Sequence, residues 1–154
     1  MEKVYHGTSL GNFKNIYNTG KLIPNEGNGV GSWNPGHVYL GTSYGVALAH
    51  GYGASPTMED VGGEPYVVLE FNINRELLLK DPDNNIECNT WEESSNKNGQ
   101  VSVFGEFQIP EDTIVHFIGG ECWDTTVTTN IKNWEEAYKH HEEALQVPGW
   151  DEDE

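Results

Sequence analysis

The sequence predicts an α+β domain built from short, mainly antiparallel strands and a few short helices. Glycine makes up 18 of the 154 residues, which favours a fold with many turns over a helical bundle. The strand-like segments are short and lie between stretches rich in Gly, Asn and Pro. The length fits one domain on the usual scale of about 100–200 residues. No internal repeat or break in composition divides the chain, so we expect a single domain.

Strand and helix signals alternate in the first half of the chain. Ser9 can cap the first helix, Gly20 can end it, and Ser43 can cap the second helix. The predicted segments, in order, are a strand (3–6), a helix from Ser9 to Gly20, a short extended segment (22–24), a loop (25–36), a strand (37–40), a helix (44–52) and a loop (53–64).

The second half of the chain contains the strongest strand pattern, at residues 66–73. Its apolar stretch followed by alternation is typical of a central, mostly buried strand. The other predicted segments are a polar loop (80–99), a strand (101–104) leading into 105–109, a last strand (113–118), a loop (119–132) and a helix (133–146) with an apolar stripe. We therefore expect one domain over residues 1–147 and a disordered acidic tail over 148–154.

Acidic residues dominate the charge of the chain. Eight Lys and Arg stand against 25 Asp and Glu, which gives a formal net charge of −17. Because phosphate binding needs clustered Lys and Arg, the composition argues against a protein that grips a nucleic-acid duplex. Arg75 is the only arginine, so an arginine clamp on phosphate has a single candidate. The charge is compatible with a nucleic-acid mimic, or with a protein that meets a basic partner.

The same composition predicts an intracellular protein without membrane association. No apolar run approaches the about 18 residues of a membrane span, and the first residues lack the basic and apolar regions of a signal peptide. Cys88 and Cys122 are too few for a disulfide scaffold. Together with the adjacent His140 and His141, they lack the spacing of a metal site, so no metal is expected.

Four short motifs contain the residues most suited to chemistry. Taken singly, each has an ordinary structural interpretation. Glu106 is the least ordinary, because burying a carboxylate near Phe104 and Phe107 is costly unless a partner, such as a ligand hydroxyl, compensates it. Glu70 is a weaker case, since a residue in the middle of a strand can point to solvent. The motifs are residues 5–8 at a strand end, 38–41 at another, Tyr52 at the end of a short helix, and 105–107 at the start of a late strand.

The order of these motifs resembles the ADP-ribosyltransferase fold, in its branch similar to diphtheria toxin and poly(ADP-ribose) polymerase. That branch is known by a His-Tyr-Glu triad. The resemblance covers most of residues 4–118 and rests on an ordered set of short motifs rather than on one of them. The matching stretches are residues 5–9, a helix followed by 20–24, residues 38–40 with a Tyr after a short helix, the strand 66–73, and Glu106-Phe107.

The resemblance implies a cleft between two small sheets that binds NAD as a substrate. His6 would bond a ribose hydroxyl, the Gly7 backbone would hold the nicotinamide carboxamide, and Thr8 would lie close to the ribose. Tyr39 would stack on the nicotinamide ring. Glu106 would bond the 2′-hydroxyl of the nicotinamide ribose. A carboxylate at that point stabilises the oxocarbenium-like centre that forms when nicotinamide departs.

A second aromatic residue would complete the stack on the nicotinamide ring. Tyr52 is the preferred candidate for this role. His50 competes with it, because it lies at the family's usual interval after Tyr39 if no residues are inserted. Tyr44 is a weaker third candidate. The sequence leaves these alternatives open.

Departures from other branches favour this assignment. The arginine-specific toxin branch has an Arg on its first strand and a Glu or Gln two residues before its catalytic Glu, whereas this chain has His6 and Phe104 there. The tRNA 2′-phosphotransferase branch needs paired arginines, and only Arg75 is present.

The sequence therefore predicts an NAD-dependent ADP-ribosyltransferase. We expect mono-ADP-ribosylation of a basic protein surface, with a nucleic-acid acceptor still open, by a small bacterial or phage effector. The alternatives are a relative that only binds NAD or ADP-ribose, and an acidic inhibitor that blocks a basic partner.

Overall fold

A computed structural model describes residues 1–24, 36–48 and 64–147. The predicted tail (148–154) lies outside the described residues, as do His50, Tyr52 and most of the loops predicted at 25–36 and 53–64. The predicted α+β class is confirmed, with one seven-stranded antiparallel sheet and one two-stranded sheet. The strands are β1 (Glu2–Ser9), β2 (Lys21–Leu22), β3 (His37–Gly41), β4 (Tyr66–Ile73), β5 (Leu79–Lys80), β6 (Gln100–Phe104), β7 (Phe107–Gln108), β8 (Ile114–Gly119) and β9 (Thr125–Asn130).

The helices are short and lie between or after these strands. Ser9 caps the first one, because its hydroxyl accepts a hydrogen bond from the Asn12 amide, and Gly20 ends it with φ +75°. Both ends agree with the prediction. In the described part of the chain, no helix has both the length and the apolar character needed to cross a membrane. The helices are α1 (Leu10–Thr19), α2 (Trp91–Asn98) and α3 (Trp134–Leu145), with a 3₁₀ turn (Arg75–Leu77) and a helical segment at 44–48.

The large sheet consists of two halves that are joined by little backbone pairing. Its strand order is β5-β6-β3-β1-β4-β8-β9. β1 pairs with β4 along its full length, and β3 pairs with β6 along its full length. Between β1 and β3, however, the pairing is given by Tyr5 opposite Gly41 alone. The same register would set Gly7 opposite Tyr39, but the regular pairing of the two strands does not extend to this point.

Among the described residues, the larger apolar cluster lies on the face of the sheet that α1 and α3 cover, and a smaller one, of Ala47, Tyr66, Val68 and Ile118, lies on the opposite face. Phe13 of α1 and Trp134 of α3 pack edge to face with ring centroids 4.9 Å apart, and Phe117 of β8 packs 5.9 Å from Phe13. Both halves of the sheet contribute to this core. The buried residues that they supply include Val4, Val38, Leu40, Leu69, Phe71, Val101, Val103 and Val115.

Gly119, at the end of β8, lies directly against the last turn of α3. A Cβ atom built on this glycine would lie 2.2 Å from the carbonyl oxygen of Leu145. The amide of Gly120 lies 3.3 Å from the same oxygen and donates to it. The close approach of β8 and α3 therefore depends on a residue without a side chain at position 119.

Two segments that were predicted as loops contain regular structure. Residues 80–99 include α2, which Thr90 caps and Gly99 ends with φ +78°. This helix is almost entirely polar, so it lacks the apolar periodicity that reveals most helices. Residues 119–132 include β9, so the strand at 113–118 is not the last one. β9 lies at the edge of the sheet and consists largely of threonine and asparagine, which hides the usual alternation of apolar and polar residues.

Candidate functional site

His6 and Tyr39 lie together beside the point where the pairing of β1 with β3 ends. The Nδ1 atom of His6 is 2.9 Å from the backbone carbonyl oxygen of Tyr39. Because a carbonyl oxygen only accepts hydrogen bonds, the imidazole proton is on Nδ1, and in the neutral ring Nε2 is then an acceptor. Both residues are partly exposed. The fold thus brings together two of the residues that the resemblance assigns to NAD.

Gly7 and Thr8 continue β1 beyond His6 and are both buried. They pair with Val68 and Val67 of β4, on the side of β1 away from β3. This pairing does not test their contacts with the nicotinamide carboxamide and the ribose, which stay predictions.

The second stacking residue is not decided by the structure. His50 and Tyr52 both lie outside the described residues. Tyr44, the third candidate, is described: its ring packs edge to face against His116 at 5.3 Å and against Tyr5 at 6.3 Å. Burial raises the pKa of the Tyr44 phenol, and its hydrogen bond with Thr126 only partly offsets that effect.

Asp83 is a residue of this site that the sequence did not reveal. The Tyr39 hydroxyl donates a hydrogen bond to Oδ2 of Asp83, at 2.5 Å. Asp83 follows β5, in the segment that was predicted only as a polar loop. A motif that pairs a strand tyrosine with an aspartate 44 positions later has no local signature, so only the fold could show it.

Glu106 does not have the surroundings that the sequence predicted. Its side chain is 53% exposed and forms an ion pair with Lys21, Nζ to Oε1 at 3.2 Å. The expectation of a carboxylate buried among apolar neighbours is therefore wrong. The reason is Gly105, whose φ of +85° turns the chain out of the sheet after β6. Phe104, just before the turn, is 71% exposed as well.

Glu106 lies on the connection between the two sheets. Within the large sheet, Ser102 is the residue opposite Tyr39, and Glu106 follows it beyond the Gly105 turn. Its ion-pair partner Lys21 is on β2, which pairs with β7 in the two-stranded sheet. The catalytic role of Glu106 stays a prediction.

A second cluster of charged residues surrounds Glu70. Its side chain is only 14% exposed, and its oxygens accept hydrogen bonds from His116 Nε2 at 2.8 Å and from Lys3 Nζ at 3.2 Å. The Nδ1 atom of His116 lies 2.9 Å from Oγ1 of Thr128 on β9. Burial raises the pKa of the Glu70 carboxyl, but the hydrogen bonds and positive charges of His116 and Lys3 outweigh it and lower that pKa.

We expect the Glu70 carboxylate to make the stability of the fold depend on pH in the acid range. Because its folded-state pKa lies below the ordinary value of 4.5, its contribution is complete above pH 4.5 and is lost as the pH falls through the folded pKa. Urea unfolding of the wild type and of Glu70→Gln between pH 3 and pH 7 measures this. The variant should lose less stability than the wild type on acidification. Equal losses in the two proteins would contradict the expectation.

The described part of the chain contains no group of three or more His, Cys, Asp or Glu side chains that could hold a metal ion. What it does contain is a pair, His6 and Tyr39, beside the point where the pairing of β1 with β3 ends, with Asp83 at the tyrosine hydroxyl. No family model matches the chain, and neither curated proteins nor solved structures match it, so the family resemblance rests on the ordered motifs of the sequence.

Proposed function

We propose that this protein is an NAD-dependent ADP-ribosyltransferase. The observation that supports it best is the hydrogen bond between His6 and the Tyr39 carbonyl, beside the point where the pairing of β1 with β3 ends. These residues are 33 positions apart in the chain, and the resemblance assigns both of them to the nicotinamide half of NAD.

The chemistry follows from the roles of these residues. A ribose hydroxyl of NAD donates to Nε2 of His6, and the Tyr39 ring stacks on the nicotinamide. Stacking on an aromatic ring contributes about 0.5–1.5 kcal/mol beyond burial. The bond between C1′ and the nicotinamide nitrogen breaks, and its electron pair leaves with nicotinamide. A nucleophile of the acceptor then bonds to C1′ and gives up its proton, while the Glu106 carboxylate stabilises the positive charge on the ribose.

In the decisive experiment, the purified protein is incubated with a cell lysate and with NAD labelled in the adenylate phosphate. Label on a macromolecule supports the transferase. Release of nicotinamide without labelling would instead indicate an NAD hydrolase. If neither occurs, the transferase is rejected in favour of one of two binding proteins: a relative that only binds NAD or ADP-ribose, or an acidic inhibitor, which the net charge of −17 would suit.

Three variants connect the activity to the proposed site. His6→Ala and Tyr39→Ala should each raise KM for NAD more than they lower kcat, because positioning and stacking act in the ground state as well as in the transition state. His140→Ala is the matched control, since His140 is an exposed histidine on α3. The control should keep wild-type kinetics.

The acceptor is expected to be a basic protein surface. A charge of −17 attracts a basic partner at long range, and salt screens that attraction, because the Debye length is only about 8 Å at physiological ionic strength. We therefore expect kcat/KM for protein labelling to fall steeply between low and moderate salt. Hydrolysis of NAD without an acceptor is the control and should change little. A flat salt profile, or an acidic or nucleic-acid acceptor, would contradict charge steering but not the NAD chemistry.

A further inference from the structure

We infer that Asp83 is a positioning residue that fixes the ring of Tyr39 before NAD binds; this inference rests on the proposed function. Asp83 Oδ2 accepts the hydrogen bond of the Tyr39 hydroxyl at 2.5 Å. The backbone of Tyr39 is held in β3 by its pairing with Ser102, and its carbonyl is bonded to His6. With the hydroxyl bonded as well, both ends of the long axis of the side chain are held, and the position of the ring is fixed.

Asp83 can hold the ring only if its own loop is rigid, and a buried aspartate provides that rigidity. Oδ1 of Asp81 accepts hydrogen bonds from the amides of Asp83 at 2.8 Å and Asn84 at 3.0 Å. Asp81 is fully buried, and its amide donates to Oγ of Ser94 at 3.1 Å. The turn that presents Asp83 is thus fixed from inside the protein, as expected for an Asx turn.

A buried polar network ties this turn to α2 and to β6. Asn85 and Ser94 are fully buried, and Asn85 Nδ2 donates to Ser94 Oγ at 2.6 Å and to Asn98 Oδ1 at 2.9 Å. The Ser94 hydroxyl in turn donates to the carbonyl of Gln100, the first residue of β6, at 2.6 Å. β6 pairs with β3, the strand that contains Tyr39. The hydrogen bonds therefore connect the Tyr39 hydroxyl, through Asp83 and the buried network, to the strand beside its own backbone.

Burying this polar network costs free energy, and filling the core does not require polar side chains. Burying amide, hydroxyl and carboxylate groups is unfavourable unless all are hydrogen-bonded, and apolar side chains would fill the same space more simply. In this network each buried polar side chain has a hydrogen-bond partner. The network ends at Tyr39, a partly exposed aromatic residue that we propose binds NAD. Without the Asp83 bond, more of the ordering of the Tyr39 side chain would have to occur on binding, and ordering one side chain reduces affinity by up to about tenfold.

The test compares four variants and one control variant by NAD kinetics. Asp83→Ala should raise KM for NAD about tenfold with kcat nearly unchanged, and Asp83→Asn, whose amide oxygen still accepts, should restore most of the affinity. Tyr39→Phe keeps the ring but lacks the hydroxyl, so it should match Asp83→Ala. The double variant Tyr39→Phe with Asp83→Ala should be no worse than either single variant, because both remove the same bond. Asp112→Ala, which removes an exposed carboxylate before β8, is the control.

A second readout observes Tyr39 directly in the protein without NAD. In NMR spectra of protein with ¹³C-labelled tyrosine, Tyr39→Phe identifies the Tyr39 signal. In Asp83→Ala the chemical shift of Tyr39 should move toward the average value of a mobile tyrosine side chain. The chemical shifts of the packed Tyr66 and Tyr138 should not change.

The two proposals fail in different ways. If the wild type transfers or hydrolyses NAD but Asp83→Ala has wild-type kinetics, or if the two single changes add in the double variant, the inference about Asp83 is overturned and the proposed function stands. If the wild type does not act on NAD, the proposed function is rejected before any variant is made. An unchanged Tyr39 signal in Asp83→Ala overturns the positioning role irrespective of activity.

Discussion

Glu106→Gln is expected to lower the rate of ADP-ribose transfer about 10²–10³-fold, the usual effect of removing one electrostatic group from a transition state. Glutamine keeps the size and the hydrogen-bonding oxygen of the side chain but not the negative charge that we propose stabilises the ribose cation. The affinity for NAD should change little, since the charge matters most as nicotinamide departs. Single-turnover transfer and an NAD titration measure the two effects separately.

The ion pair of Glu106 with Lys21 provides a matched control for this experiment. Lys21→Met breaks the same pair but leaves the carboxylate in place. Both side chains are about half exposed, and pairs of this kind contribute about 0–1 kcal/mol to stability. If Glu106 only joins β2 to the connection before β7, the two variants should lose the same small stability and neither should lose activity. A Glu106→Gln protein with a wild-type transfer rate would therefore reject the assignment.

Gly119→Ala is expected to destabilise the fold by about 1–3 kcal/mol, the usual range for inserting a methyl group into a packed site. The new Cβ would lie 2.2 Å from the Leu145 carbonyl oxygen, well inside contact distance. The oxygen cannot move away freely, because the Gly120 amide donates to it and the Leu145 side chain is fully buried. Either the last turn of α3 or the end of β8 must shift. Urea unfolding measures the loss.

Gly45→Ala is the control for this substitution. Gly45 is exposed in the helical segment at 44–48, and no described atom lies within 4 Å of a Cβ built there. Alanine has the higher helix propensity, so this variant should gain up to about 1 kcal/mol. Wild-type stability in Gly119→Ala would show that β8 and α3 are not packed as described.

The ends of α1 and the central strand could be predicted because their signals are local. Ser9 and Gly20 form hydrogen bonds with backbone groups only a few residues away. The apolar run at 66–73 indicates a buried strand whichever elements pack against it. The helix α2 could not be found in this way. It is held by hydrogen bonds to the 81–85 turn and to β6, and such bonds leave no periodic pattern in the sequence.

The candidate site shows the same division. His6 and Tyr39 were predicted from an ordered set of motifs, but Asp83 depends on a contact across the fold. The burial expected for Glu106 fails for a local reason: a glycine with positive φ at position 105 ends the alternation of the strand before Glu106. Glu70 was recognised as unusual, but its partner His116 is on another strand and could not be identified from spacing.

The single register pair between β1 and β3 divides the sheet into two units of local stability. Within each half, successive backbone hydrogen bonds make opening cooperative, but across Tyr5 and Gly41 that ladder is interrupted. The halves are joined mainly through the shared apolar core, and packing is less directional than hydrogen bonding. We therefore expect local opening of the sheet to begin at this junction. A ligand bound across it would stabilise the two halves together, and its binding energy would slow amide hydrogen exchange in both halves at once.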